Sequence, residues 1–247
     1  MADQSCHSAG HAAAISRNLL LSGLRADDRT RIAPHLQFTT LRLGDVLYVP
    51  DGAPAFAYFP VTAVVSLHYE LACGAAIEMA AVGHDGMVGM ALYLGGVTTP
   101  SWATVQIGGT ALRIDGGVLK REFASCRSVS SSLLLYSQSL ICQVTLTAVC
   151  NRHHTVDQQL CRWLLLTQDR IPRGELVVTQ EQIAGALGVR RESVTESAGK
   201  LQAAGAISYR RGHITVLDRA ELQRGSCECY GAVRSEMDRL AAPSIAA

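Results

Sequence analysis

The sequence has none of the ordered constellations that mark common catalysis. It contains no Gly-x-Ser-x-Gly, no His-Glu-x-x-His and no phosphate-binding loop, so an enzyme is not expected. An excess of charge of one sign is also missing. In 247 residues, 22 Lys and Arg stand against 21 Asp and Glu. The net charge of +1 argues neither for nor against a nucleic-acid partner. No run of about 18 uninterrupted apolar residues occurs, so no membrane span is expected. The opening MADQSCHSAGHAAAISRN lacks a basic segment followed by an apolar run. A secretory leader is therefore not expected, and the cytoplasm is the expected location.

The eight cysteines do not form the dense framework of a small secreted domain. Cys126, Cys142, Cys150 and Cys161 are scattered through helical patterns and read as buried thiols in a reducing compartment. Cys6-His7 with His11, and Cys227-x-Cys229, can ligate a metal by residue type. Each group supplies too few ligands to close a site, so they read as surface residues and neither metal nor cofactor is expected. His153-His154 lie near the end of a long helix, where protonated histidine complements the dipole.

What is present is concentrated in residues 179–217, TQEQIAGALGVRRESVTESAGKLQAAGAISYRRGHITVL. Thr179 with Gln182 three positions later is a capping box that starts a helix. Ile183, Ala184 and Leu187 follow at helical spacing, and Gly188 suits the left-handed residue that ends it. A second helix is predicted from about Arg190 to Ala204, carried by Val194, Ala198 and Leu201. The short turn between them is that of a helix-turn-helix. Arg190 is a poor N-cap, and Ser197 stands where such motifs bury a branched aliphatic. The second helix offers Arg190, Arg191, Glu192, Ser193, Thr195 and Glu196 to solvent, side chains suited to phosphates and base edges. Ile207–Arg210 and His213–Leu217 are predicted to form a hairpin turning at Arg211-Gly212. An αα-hairpin packed on a small sheet, docking a protein instead of DNA, is the alternative reading.

Charge follows the same division. Residues 1–118 carry 6 basic against 9 acidic side chains, residues 119–217 carry 12 against 7, and residues 218–247 carry 4 against 5. Positive charge is thus concentrated where the DNA reader is expected. Short helices are predicted at Ile15–Leu21 and Asp27–His35. Residues 38–115 read as β structure, with runs at Thr39–Leu43, Val46–Val49, Ala63–Leu71, Ile77–Val82, Ala103–Ile107 and Ala111–Ile114 punctuated by glycine. From Gly117 the pattern turns helical: Leu119–Cys126, a long helix from about Ser130 to Asn151, and about Thr155–Arg170. In the long helix Leu133, Leu140 and Thr147 repeat at seven, as do Leu134, Ile141 and Ala148, with Val144 between. Two such tracks exceed what one partner face needs, so a homodimer seam is favoured over packing on the chain's own β domain alone. Ile171–Glu175 reads as a linker, and the tail after Asp218 as one or two polar helices.

β-roll, long apolar helix and winged helix-turn-helix, in this order, resemble the Crp/Fnr superfamily of bacterial transcription regulators over nearly the whole chain. The strongest matches are LRLGDVLYVPDGAPAFAYFPVTAVVSL (41–67) and VTQEQIAGALGVRRESVT (178–195), with YRRGHITVLDRAEL and CECYGAVRSEMDRL after them. The resemblance implies an α+β fold. A cyclic-nucleotide-binding-like β-roll would span 1–118, dimerisation helices 119–152, and a winged helix-turn-helix 153–247. It implies double-stranded DNA and a second copy of the chain as partners, and leaves room for RNA polymerase and a small-molecule effector. Family members that bind cyclic nucleotides use a Gly-Glu pair for the ribose and an Arg before Ser/Thr-Ala for the phosphate. Here Gly89 matches, but Met90 replaces the Glu and Ser101-Trp102-Ala103 replaces the Arg-Ser-Ala. No Lys or Arg lies between His68 and Arg113. A cyclic phosphate would lack its cation, so cyclic AMP is not the expected ligand. Val88, Gly89, Met90, Ser101, Trp102 and Ala103 mark the candidate pocket, either a site for a lipophilic ligand or packed core. The iron–sulfur members' N-terminal cysteine cluster is missing. By the same resemblance Arg191 and Glu192 read bases. Thr179, Gln180, Arg190, Ser193, Thr195, Glu196, Lys200, Arg210, Arg211 and His213 complete the DNA-facing set. A regulatory module that binds a ligand and acts on a partner protein is the alternative function.

Overall fold

A computed structural model describes residues 2–96, 98–171, 176–210 and 212–241. Helices α1 (Ala2–Arg17), α2 (Leu19–Ser22) and α3 (Ala26–Ile32) lead into the β region. Its strands are β1 (Gln37–Leu41), β2 (Val46–Tyr48), β3 (Phe56–Pro60), β4 (Val64–Glu70), β5 (Ala76–Val82), β6 (Trp102–Ile107) and β7 (Gly109–Asp115). They form two antiparallel sheets, ordered β1-β7-β3 and β2-β6-β4-β5. Alternation buries Ala57 and Phe59 from β3, Val65 and Leu67 from β4, and Ala103 and Val105 from β6 in one core between the sheets. β3 is absent from the sequence expectations, because AFAYFP ends in proline and is poor in branched residues. Its edge position tolerates Pro60, which lacks a ladder donor.

Asp115 caps α4 (Gly116–Ser125), its carboxylate accepting from Gly117 N at 2.9 Å and Val118 N at 3.1 Å. The next helix, α5 (Arg127–His153), exceeds the predicted span at both ends. By length and composition it is apolar enough to cross a membrane. One face nevertheless buries Val129, Leu133, Tyr136 and Leu140 in the roll core, as the core helix of a globular fold does. The Tyr136 hydroxyl donates to Met87 O at 2.6 Å. Helix α6 (Val156–Arg170) starts with a capping box between Thr155 and Gln158.

Two buried polar knots tie α6 to the roll. Arg170, 1% exposed, donates from Nε to Asp85 at 3.0 Å and from Nη2 to Gln143 Oε1 of α5 at 2.6 Å. Glu78 of β5 accepts from Gln106 Nε2 at 2.7 Å and Trp163 Nε1 of α6 at 3.2 Å. Burial holds its carboxyl above the usual range. The rest of the chain is β8 (Leu176–Val177), α7 (Gln180–Leu187), α8 (Arg191–Ala203), β9 (Ile207–Arg210), β10 (His213–Val216), α9 (Arg219–Gly225) and α10 (Glu228–Ala241). A second core of Leu160, Leu164, Ile183, Leu187, Val194, Ile207 and Ile214 holds α6 to α8 and the wing together. Helix α10 packs back on α5 and α6. Most of the predicted linker, residues 172–175, and Arg211 lie outside the described residues.

Candidate nucleic-acid interface

The Thr179 capping box closes as its chemistry requires. Gln182 N donates to Thr179 Oγ1 at 3.2 Å, and Thr179 N donates to Gln182 Oε1 at 2.8 Å. Gly188 ends α7 at φ +65°, where a β-carbon would be strained and would meet Ile77. The chain re-enters a helix at Arg191, and Arg190 makes no side-chain cap. Val194 and Ala198 bury one face of α8. Ser197 is buried with them, and its hydroxyl donates to Asp157 of α6. This explains a hydroxyl where an aliphatic is usual: the buried oxygen has a carboxylate partner, which lowers the Asp157 carboxyl.

The opposite face of α8 carries Arg191, Glu192, Thr195, Glu196 and Lys200, all exposed, with Ser193 half-buried. Arg191 lines a cleft shared with Thr179, Gln180, Tyr209 and Gly212, between the start of α7 and the wing. Among the described residues Arg190, Arg191 and Arg210 form no ion pair, and all three are exposed; Glu181 lines the same cleft as Arg191. Five candidates are already engaged, Thr179 among them through the capping box. Thr195 Oγ1 donates to Gln180 Oε1 at 2.8 Å, bracing the two helices. Lys200 pairs with Asp157 at 3.1 Å and Glu196 at 3.0 Å. β9 and β10 pair in register from His213 opposite Arg210 to Val216 opposite Ile207, placing Arg210 and His213 at the wing tip. Arg211 lies outside the described residues.

A cavity of about 510 Å³ lies between the roll and α5. Gly89, Met90 and Ser101 line it. Gly89 opens a short 3-10 turn at φ +110°, which explains its glycine. Val88 and Ala103 are core, 1% and 0% exposed. Trp102 points to the other face of β6 and stacks on His68 with centroids 6.3 Å apart. These three do not line the cavity. Met87 and Leu94 beside that turn do, as do residues distant in sequence, among them Tyr48, Met79, Ile141 and Val144. None of the described lining residues is charged at neutral pH.

The two heptad tracks of α5 separate. Leu133 and Leu140, 3% and 7% exposed, are buried against the chain's own roll. Thr147 accepts from Arg162 Nη2 at 2.9 Å. Leu133 and Leu140 thus face inward and leave little surface for a partner, while Thr147 is half-buried. Leu134, Ile141 and Val144 are 49%, 58% and 36% exposed, and Ala148 lies exposed on the same face. The fold also brings together groups that were judged separately in the sequence. Cys227 and Cys229 meet Cys150 and His154, their ligand atoms all within 4.8 Å of one another. Spacing within either segment gives no hint of this, because it depends on α10 folding back. The side chains of Cys6 and His7 lie outside the described residues, and His11 Nε2 contacts Leu36 O at 3.0 Å.

Residues 158–224 match the family described as the Crp-like helix-turn-helix domain. No curated protein sequence matches the chain. Solved structures match over most of its length. FixK2 of Bradyrhizobium japonicum is 16% identical with a TM-score of 0.67, the match covering 78% of this chain and 98% of that one. A protein of Eubacterium rectale assigned to the Crp/Fnr family is 17% identical with a TM-score of 0.65, covering 83% and 96%. The c-di-GMP-responsive regulator CLP of Xanthomonas campestris is 18% identical with a TM-score of 0.59, covering 78% and 99%. The chain therefore has the fold of the Crp/Fnr-type regulator structures it matches, with a Crp-like helix-turn-helix domain at residues 158–224.

Proposed function

We propose that this chain is a cytoplasmic, homodimeric regulator that reads a palindromic promoter site. The observation that carries the reading is the exposed polar face of α8, flanked by a wing and bearing guanidinium groups that form no ion pair among the described residues. Arg191 and Glu192 enter the major groove. Arg191 pairs bidentately with guanine, and Glu192 accepts from cytosine N4. Arg190 and Arg210 hold phosphates and set the salt dependence. Two-fold pairing along Leu134, Ile141, Val144 and Ala148 spaces the half-sites about one helical turn apart.

The roll is the sensory part, and its ligand is not cyclic AMP. A cyclic phosphate in this cavity would find no cation, and an unpaired buried anion costs several kcal/mol. Met79, Met87, Met90 and Leu94 suit an uncharged, lipophilic effector. The functional units of the chain run over 1–118, 119–152 and 153–247, with α10 reaching back to α5.

Selection of bound sequences from random duplex DNA, with purified protein and no added ligand, tests the reading. A two-fold symmetric consensus is expected. Failure to enrich any sequence, with and without cell extract as a source of effector, would leave the helix pair a protein dock.

A further inference from the structure

We propose that Cys150, His154, Cys227 and Cys229 form a closed, tetrahedral zinc site that fastens the C-terminal tail to the hinge between α5 and α6. Cys150 and His154 sit at i and i+4 across the last turn of α5, so their side chains share a face. The helix ends at His154, whose N–H donates to Cys150 O at 3.0 Å. Gln159 Nε2 donates to His154 O at 2.9 Å and holds that end in place. Cys227 and Cys229 span the break between α9 and α10. The contacts are Cys150 Sγ to Cys227 Sγ at 3.6 Å and Cys229 Sγ to His154 Nδ1 at 3.7 Å. A tetrahedral ion with bonds of about 2.3 Å to sulfur and about 2.0 Å to nitrogen needs edges of roughly 3.5–3.8 Å. Both contacts have that length. A group whose atoms all lie within 4.8 Å encloses one ion, with no room for a multi-iron cluster.

Two further observations fit a metal held by thiolates. His154 Nε2 lies 3.3 Å from Glu228 Oε2 while Nδ1 faces the thiols. A carboxylate behind the far nitrogen fixes the tautomer whose free lone pair meets the metal. Arg162 is the second. It is 6% exposed and donates to Thr147, but its Nε has no partner. Among the described residues it has no carboxylate partner either. Three thiolates around Zn²⁺ carry net charge −1, and that anion would neutralise the buried guanidinium. Zinc binding displaces the three thiol protons and leaves the histidine neutral, so charge and protons balance. The three cysteines are 0%, 5% and 2% exposed. A site this closed, with no open position, is structural.

Full-length protein, purified in reductant, is loaded with Zn²⁺, dialysed against metal-free buffer and analysed for bound metal. About one zinc per chain is expected. Cobalt in its place should show thiolate-to-cobalt charge transfer and the visible bands of a tetrahedral ion. Cys227→Ser and Cys229→Ser should retain less than about a tenth of the metal, and Glu228→Gln should bind about tenfold more weakly. Cys142→Ser, outside the group, should be unchanged. Wild-type protein that retains no metal and gives no tetrahedral cobalt spectrum overturns the proposal, whatever the variants do. So does metal retained equally by Cys227→Ser, or a Cys150–Cys227 disulfide in metal-free wild type.

Discussion

Ile141 and Leu140 are neighbours on α5, about 100° apart around its axis, one exposed and one buried, and this makes the proposed seam testable with two substitutions. Ile141 is 58% exposed, whereas Leu140 is 7% exposed in the roll core. Fully burying a large aliphatic side chain is worth about 1.5–3 kcal/mol. Covering the exposed part of Ile141 is then worth about 1–2 kcal/mol, and two-fold symmetry counts it twice. Ile141→Ala should weaken the dimer by about 2–4 kcal/mol, on the order of 10²-fold in Kd. Ile141→Asp should go further and give monomers, because two carboxylates would be desolvated near each other. Neither change should lower the stability of the folded protomer. Leu140→Ala should do the reverse, costing about 2–5 kcal/mol of folding stability through the cavity it leaves. Its dimer Kd, measured well below the melting temperature, should change far less. Sedimentation equilibrium gives Kd, and thermal unfolding at fixed concentration gives stability. An Ile141→Asp protein with an unchanged dimer Kd would refute the assignment of the exposed track to the seam.

The remaining predictions concern the reader and the two knots that hold it to the roll. Arg191→Ala should cost about 1–3 kcal/mol on the selected site and relax specificity at one base pair. Arg210→Ala should weaken all sequences alike and reduce the salt slope by about one; titrations at several salt concentrations separate the two effects. Arg170→Ala should cost about 3–5 kcal/mol in chemical denaturation, because Asp85 stays buried without its partner. Glu78 has its folded-state pKa raised above 4.5 by burial, so the stability linked to it is full below that value and is lost as pH rises through the raised pKa. Relative to Glu78→Gln, the wild type should therefore lose melting temperature as pH climbs above 4.5. A gap between the two proteins that stays constant with pH would show the carboxyl to be unshifted.

The reader was legible in the sequence because its signals are local. The Thr179–Gln182 box, Gly188 at positive φ and the 207–210 and 213–216 strands each follow from residues within a few positions. The long helix was legible as apolar but not as to which track faces where. Period alone cannot tell a face covered by the chain's own sheet from one left for a partner, so Leu133 and Leu140 looked equivalent to Leu134 and Ile141. The pocket was half legible. Gly89 and Met90 sit on one turn and Ser101 just before β6, in the stretch the resemblance marks, while Tyr48, Ile141 and Val144 enter through pairing across the roll and the docking of α5. Ser197 looked like an error in the motif until Asp157, 40 positions away, supplied its partner. Lys200 looked available for phosphate until the same carboxylate engaged it. The metal-ligand group was invisible for the same reason, since Cys150 and Cys227 meet only through the return of α10, 77 positions on.

The seam and the cavity share side chains, and this gives the proposed regulator a physical route from ligand to DNA. Ile141 and Val144 line the cavity and are also exposed on the outer track. A second α5 lying along that track would close the open side of the cavity. Ligand and partner then contact the same two residues, so each can change the other's affinity by one and the same factor. The ligand shifts the pairing only to the extent that it prefers one arrangement of the two helices. In the proposed dimer α5 would pass that arrangement to α6 across the His154–Thr155 break, and α6 to α8 through the Asp157–Ser197 hydrogen bond. Stiffness at that break decides how much of a helix rotation reaches Arg191. The group at Cys150, His154, Cys227 and Cys229 stands at the break, so metal there should strengthen the coupling without touching either ligand.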